Sequence, residues 1–352
     1  MQKAILFLVL LIGKSFIAQE NDLGLGIKYK HGFLIAHRPI MNHLPESNTN
    51  SIEAFAFVQT KGKKNWHKAF NYPQVGASLL YTSAGNNVVL GKYFGFYPFL
   101  QFNLLKTTKN KLNFKIGSGL GYGTKVYDIL TNPKNVAISS HFNALINFTL
   151  AYQYKVKKNE FSFGMEMTHF SNGSSKLPNL GLNLPSLSIV YARKMTESDI
   201  VKEKAAEIDH TWKYSVIAIA SSKDSYPSGQ EKFLVTGLSL NAQKAFSHAV
   251  GYETGLDFIY SPSIQKYKPV IPKSPESMMQ IGLYNSYFLT LEHLQIHVGM
   301  GIYLRDEYLA NDYFYHRFGF KYSFNNGLLL NLTLKSNWAK ADYLEYGIGY
   351  RF

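Results

Sequence analysis

Apolar and polar residues alternate along most of the chain, and short clusters of Asn, Gly, Ser, Pro and Lys interrupt the alternation. In the segment FSFGMEMTHFS (161–171), every second residue from Phe161 to Ser171 lies on one face of an extended strand. The segment 343–352 alternates in the same way, with Leu, Tyr, Ile and Phe opposite Glu, Gly and Arg. A period of two residues indicates β-strands. We therefore expect an all-β protein.

The polar face of these strands selects the class of β protein. Charged residues and glycines recur on the face that would form the core of a soluble sandwich. A membrane barrel instead places such residues in its interior and turns its apolar face to lipid. Aromatic residues make up 15% of the chain, although the mean hydropathy is only −0.14. The sequence therefore predicts a bacterial outer-membrane antiparallel β-barrel.

The number of barrels depends on how the strands close. Eight strands are predicted before residue 195, and six to eight more within 211–352. We favour one barrel of about 14–16 strands, in which 24–37 pairs with 343–352, because the last strand requires a closing partner and the linker is short. The alternative is an eight-stranded barrel over 24–195 followed by a second β unit. Pairing of 24–37 with 182–194 would indicate this alternative.

Composition divides the chain into four parts. Residues 1–18 contain a lysine followed by an apolar run that is too short to span a bilayer, which indicates a secretory signal peptide. Residues 19–195 form the first barrel region, and the charged segment TESDIVKEKAAEIDH (196–210) is the predicted linker. Residues 211–352 carry the C-terminal strands and end on Phe352, which resembles the aromatic insertion signal of outer-membrane barrels. The expected location is the cell outer membrane.

The formal net charge is +14, and the basic residues are spread along the chain rather than clustered. For an exported protein this pattern predicts contact with the anionic head groups of outer-membrane lipids and no nucleic-acid partner. The chain contains no cysteine. The histidines of the first part, His31, His37, His43 and His67, lack metal-ligand spacing. We therefore predict no metal site and no cofactor.

His169 and Ser171 are the polar residues that end the apolar face of 161–171. If this strand is the seventh of a barrel with both termini in the periplasm, they lie near the outer leaflet. A serine can act as a nucleophile when a histidine removes its proton and a third group orients that histidine. The segment that follows supplies amide side chains and a backbone N–H that a substrate can approach: Asn172, Gly173, Asn179 and Asn183. The alternative is a polar extracellular turn with a histidine at the aromatic girdle.

The segment HFSNGSSKLPNLGLN (169–183) resembles the signature of the lipid A 3-O-deacylase family, also called the PagL-like or acyloxyacyl hydrolase family. Members carry His-x-Ser-Asn followed by Pro-Asn-x-Gly at this spacing. The segments GFLIAHRP, NWHKAFNYPQVG and GSGLGYGTKVYD extend the resemblance over about 24–195. The first barrel region is therefore expected to be deacylase-like.

The resemblance implies an outer-membrane serine esterase, a carboxylic ester hydrolase that removes the acyl chain at position 3 of lipid A. Its partner would be lipid A or lipopolysaccharide of the outer leaflet, and no cofactor is implied. By the resemblance, His169 is the general base and Ser171 the nucleophile. Asn179 belongs to the oxyanion hole, with Asn172 and the backbone N–H of Gly173 as supports.

Asn183 stands where the family has a glutamate as the third catalytic residue. An amide oxygen can hold the histidine tautomer, but it stabilises an imidazolium only weakly. Either Asn183 orients His169, another acid substitutes, or activity is low. Two other functions remain open: a non-catalytic, porin-like barrel, and an esterase that acts on phospholipid. The sequence also leaves a homodimer open.

Overall fold

The computed structural model describes residues 22–196, 200, 203–225, 231–267, 274–307, 312–338 and 340–352. The predicted signal peptide and parts of the predicted linker lie outside the described residues. The described residues form sixteen antiparallel strands, two short helices (α1, Asn65–Ala69; α2, Ile264–Tyr267) and two 3-10 turns (Pro39–Met41; Glu276–Met278). The all-β prediction is confirmed. No helix in the described part of the chain is long and apolar enough to cross a membrane.

The chain divides into two compact units, and each unit contains one closed barrel of eight strands. The strands of the first barrel are β1 (Leu23–Gly32), β2 (Thr49–Gln59), β3 (Gln74–Ser83), β4 (Lys92–Lys106), β5 (Asn110–Gly123), β6 (Phe142–Val156), β7 (Asn159–Ser171) and β8 (Leu182–Lys194). Each strand pairs with its neighbours in the chain, and β1 also pairs with β8, from Gly24 opposite Lys194 to Gly32 opposite Ser186. The first barrel therefore closes on itself.

The second barrel closes in the same way. Its strands are β9 (Lys213–Asp224), β10 (Lys232–Ala245), β11 (Val250–Tyr260), β12 (Met279–Leu291), β13 (Leu294–Asp306), β14 (Phe314–Ser323), β15 (Leu328–Asn337) and β16 (Lys340–Arg351). The closing contact joins β16 to β9, with Tyr346 opposite Ala220.

The favoured single barrel of about 14–16 strands is therefore wrong, and the alternative of an eight-stranded barrel followed by a second β unit is confirmed. The last strand does require a closing partner, as expected, but β9 provides it instead of β1. Alternation specifies which face of a strand is buried. It does not specify which distant strand lies beside it.

The side chains of β7 separate by face, as the alternation predicts. Phe163 and Met165 are 55% and 60% exposed on the outer wall, whereas Glu166 is 5% exposed inside the barrel. Such an arrangement suits a barrel with lipid outside and a polar interior.

The interior of the first barrel is filled by an ion-pair network. Lys30 Nζ lies 2.6 Å from Glu53 and 2.8 Å from Glu166. Lys28 Nζ lies 2.6 Å from Glu166, and Lys115 Nζ lies 3.1 Å from Glu53. A cavity of about 40 Å³ remains beside the network, which is room for a few water molecules at most. Eight strands enclose a space that side chains can fill.

The second barrel also buries charge inside. Arg317 Nε donates to Glu345 at 2.7 Å, and Arg317 Nη1 donates to Asp257 at 2.5 Å. Lys321 Nζ donates to Glu253 at 2.5 Å. The two interiors share the same chemistry of buried, paired charges.

Candidate active site

His169 and Ser171 lie on the outward face at the end of β7, and both are half-buried. Phe170, between them, points inward and is fully buried, with its ring 4.9 Å from the ring of Tyr93. The buried aromatic pair fixes the end of the strand. It thereby holds His169 and Ser171 side by side on the outer wall.

Asn183 on β8 lies directly opposite His169 on β7 in the strand register. His169 Nδ1–H donates to Asn183 Oδ1 at 2.7 Å. With the ring proton on Nδ1, Nε2 carries the lone pair and can accept a proton. Asn183 therefore occupies the position of an orienting residue, although it is an amide.

Asn179 pairs with Ser171. Asn179 Nδ2 donates to Ser171 Oγ at 2.8 Å. Asn179 Oδ1 accepts from the backbone N–H of Asn172 at 3.1 Å. Because the backbone N–H can only donate, it fixes the orientation of the amide and turns Nδ2 towards the serine. An N–H donor beside a serine oxygen can stabilise an oxyanion.

Asn172 and Gly173 begin the loop between β7 and β8. Asn172 is buried, and its Nδ2 donates to Ser139 Oγ at 3.1 Å and to Ser140 Oγ at 3.0 Å. The side chain of Asn172 therefore anchors the loop, while its backbone N–H orients Asn179. Gly173 follows with φ of +62°, a conformation that glycine adopts without steric cost.

Gly181 is a residue of the site that sequence reasoning missed, although it belongs to the Pro-Asn-x-Gly segment. Its φ is +78°, and a Cβ there would lie 2.9 Å from His169 Cε1. The N–H of Gly181 donates to the carbonyl of Ala137 at 3.0 Å. The glycine thus allows the chain to pass close against the histidine of the site.

His37 also reaches the site, and the signal in the sequence that includes it is the segment GFLIAHRP. After β1 ends, the chain continues beside β8, where the N–H of Ile35 donates to the carbonyl of Asn183 at 3.0 Å. Asn183 Nδ2 then donates to His37 Nδ1 at 3.2 Å. The sequence raises His37 as a possible metal ligand and includes it in the segment GFLIAHRP that extends the family resemblance, but it gives His37 no role at this site. Within the described residues, no three His, Asp or Glu side chains are grouped so that they could hold a metal ion.

An apolar strip runs along the outer wall from the site towards the other end of the barrel. Phe163 lies opposite Ile189, and Met165 lies opposite Leu187. All four side chains are exposed. A contiguous exposed apolar surface of this kind is suited to contact with acyl chains.

Comparisons with known proteins give two family matches. A model described as lipid A 3-O-deacylase (PagL) matches residues 51–192, and a model described as acyloxyacyl hydrolase, C-terminal domain, matches residues 212–352. No curated protein matches the sequence.

Among solved structures, the chain is similar to engineered porins from Rhodopseudomonas blastica. For a triple mutant of that porin the identity is 9%, with 95% of this chain and 100% of the porin covered and a TM-score of 0.18. For another mutant of the Rh. blastica porin the identity is 8%, with 94% and 100% covered and a TM-score of 0.19.

Proposed function

Because the chain belongs to the lipid A 3-O-deacylase (PagL) family, we propose that it is an outer-membrane serine esterase that releases the acyl chain esterified at position 3 of lipid A. The observation that carries the proposal is the pair of hydrogen bonds on the outer wall. One orients His169 through Asn183, and the other places the Asn179 amide on the hydroxyl of Ser171. These contacts support the roles that we propose for Ser171 as nucleophile, His169 as base and Asn179 as oxyanion donor.

In the proposed reaction, Ser171 Oγ attacks the ester carbonyl while His169 Nε2 accepts the hydroxyl proton. Asn179 Nδ2 donates to the oxyanion of the tetrahedral intermediate. The intermediate collapses when the bond to the sugar oxygen breaks, and His169 gives its proton to that oxygen. A water molecule, activated by the same histidine, then hydrolyses the acyl-serine and releases the fatty acid.

The position of the site supports lipid A as the substrate. The apolar strip of Phe163, Met165, Leu187 and Ile189 lies on the same wall as Ser171. Acyl chains in the outer leaflet would contact this strip while their ester lies nearer the surface. We place the protein in the outer membrane with this wall facing lipid.

The porin-like alternative requires an open lumen. The interior of the first barrel instead holds the network of lysines and glutamates, with a cavity of about 40 Å³ beside it. A conductance measurement in planar bilayers tests this alternative, because a steady open pore together with absent hydrolysis would favour it.

The test of the proposed function is hydrolysis by the purified full-length protein. Lipid A in mixed micelles should lose one 3-hydroxyacyl chain, as detected by mass spectrometry, and Ser171→Ala should abolish the loss. Ser162→Ala, on the inward face of the same strand, is the matched control and should keep wild-type activity. Phospholipid in parallel micelles distinguishes the two ester substrates. Equal release by wild type and Ser171→Ala, or release by neither, would refute the proposal.

A further inference from the structure

The amide of Asn183 has two orientations, and only one of them supports a general base at position 169. With Oδ1 towards His169, the ring proton lies on Nδ1 and Nε2 can accept the proton of Ser171. With the amide turned over, Nδ2 would donate to Nδ1, and the ring proton would lie on Nε2. A carboxylate has no such ambiguity, because both of its oxygens accept. An asparagine in this position therefore requires something that selects its orientation.

His37 lies at the other end of the same amide. Asn183 Nδ2 donates to His37 Nδ1 at 3.2 Å, while Asn183 Oδ1 accepts from His169 at 2.7 Å. His37 is kept there by the main chain, since the N–H groups of Phe33 and Ile35 bond to carbonyls of Pro185 and Asn183. In the tautomer with its ring proton on Nε2, His37 accepts at Nδ1 from the N–H of the amide. That leaves the amide oxygen for His169.

We propose that His37 is a positioning residue that lets Asn183 take the place of an acid, by holding the amide with its oxygen towards His169. The hydrogen-bonded series runs from His37 through Asn183 to His169. The inference rests on the proposed function, because it concerns the base of that reaction. His37 itself does not touch the substrate.

The exposure of His37 makes it a suitable position for substitution. Its side chain is exposed and lies beyond the end of β1, so its replacement leaves the strand pairing of the barrel intact. His37→Phe removes the acceptor. His37→Gln provides an amide oxygen that can accept in its place. His31→Phe is the matched control, because His31 is exposed in the same barrel and bonds to Asn50 instead.

The experiment is a double-mutant cycle. The variants His37→Phe, His37→Gln and His31→Phe are each made in the wild-type protein and in Asn183→Asp. For every variant, kcat and KM are measured for the release of the 3-hydroxyacyl chain from lipid A. In the wild-type background His37→Phe should lower kcat about tenfold, the factor expected for one lost hydrogen bond, while KM stays within about twofold. His37→Gln should recover most of this loss. In the Asn183→Asp background His37→Phe should change kcat less than about threefold, because a carboxylate needs no orientation.

Two kinetic results would overturn the inference: an unchanged kcat in His37→Phe, or an equal decrease in both backgrounds. If the wild-type protein does not hydrolyse lipid A, the proposed function is refuted but this inference is not. For that case, ¹⁵N shifts of the His169 ring provide a separate readout. The proton should lie on Nδ1 in the wild type and in His31→Phe, and shift partly to Nε2 in His37→Phe. An unshifted His169 tautomer in His37→Phe would overturn the inference without any activity measurement.

Discussion

Replacing Asn183 by Asp should increase the rate of hydrolysis. The two side chains have the same shape, so a carboxylate oxygen would remain near the 2.7 Å that now separates Asn183 Oδ1 from His169 Nδ1. The change adds a negative charge beside the ring that becomes an imidazolium in the transition state of the proposed reaction. The substitution therefore tests the charge of the third group separately from its geometry.

The size of the increase follows from the hydrogen bond already present. A neutral hydrogen bond contributes about 1 kcal/mol, and one to a charged group about 1.5–3 kcal/mol. The difference of about 0.5–2 kcal/mol corresponds to a kcat that is higher by about 2- to 30-fold. In a serine protease triad the reverse change costs about 10⁴, largely because the asparagine holds the wrong tautomer. Here Asn183 already accepts from Nδ1, so we expect a much smaller effect.

The assay is the initial rate of 3-hydroxy fatty acid release from lipid A micelles, at a pH above the ordinary histidine pKa of about 6.5. Asn87→Asp, at an exposed position of the same barrel, controls for added negative charge. A kcat that stays equal or decreases in folded Asn183→Asp would refute the role of this side chain as the orienter. An increase of about 10³ or more would show that the wild-type amide does not hold the productive tautomer.

Three further substitutions test the remaining parts of the structure. Asn179→Asp keeps an acceptor for the N–H of Asn172 but loses the N–H that donates to Ser171, so kcat should fall about 10²–10³-fold. The gel mobility of the folded variant should equal that of the wild type. An unchanged kcat would contradict a role of Asn179 in the oxyanion hole. Gly181→Ala places a Cβ 2.9 Å from the His169 ring at a residue with φ of +78°. It should lower kcat and reduce the free energy of unfolding, measured by urea titration, by about 1–2 kcal/mol. A wild-type kcat together with a wild-type free energy of unfolding would contradict the close approach of residue 181 to His169. Glu53→Gln removes the carboxylate that pairs with buried Lys115 and one of the two that pair with Lys30. It should reduce the free energy of unfolding by about 3–5 kcal/mol at little cost in kcat; an unchanged unfolding midpoint would contradict the network.

The local features of the fold could be predicted from the sequence. Alternation predicts the strands, their inward and outward faces, and the position of His169 and Ser171 at the end of an apolar face. The eight strands predicted before residue 195 correspond to β1–β8. These features depend on neighbouring residues, which is why a single sequence contains them.

Features that depend on distant segments could not be predicted. The same faces of the strands are buried in one large barrel and in two small ones. The alternation of apolar and polar residues therefore does not indicate that β1 pairs with β8. The alternation places His37 in the predicted strand 24–37, whereas β1 ends at Gly32 and the chain then runs beside β8. The contact of His37 with Asn183 spans 146 positions of the chain. The need for glycine at 181 comes from the nearby His169 ring.

Under the proposed function, the outward position of Ser171 determines how substrate reaches it. A site on the wall of a membrane barrel meets its lipid by lateral diffusion in two dimensions, and the bulk concentration of lipid does not set the rate of encounter. The relevant quantity is the mole fraction of lipid A in the surface around the apolar strip of β7 and β8. Added inert detergent lowers the mole fraction of lipid A in the micelle surface while the bulk concentration of lipid A stays constant. The reaction should therefore slow, as it would if the substrate concentration were lowered. The KM of this protein should accordingly be expressed as a mole fraction of lipid A in the surface.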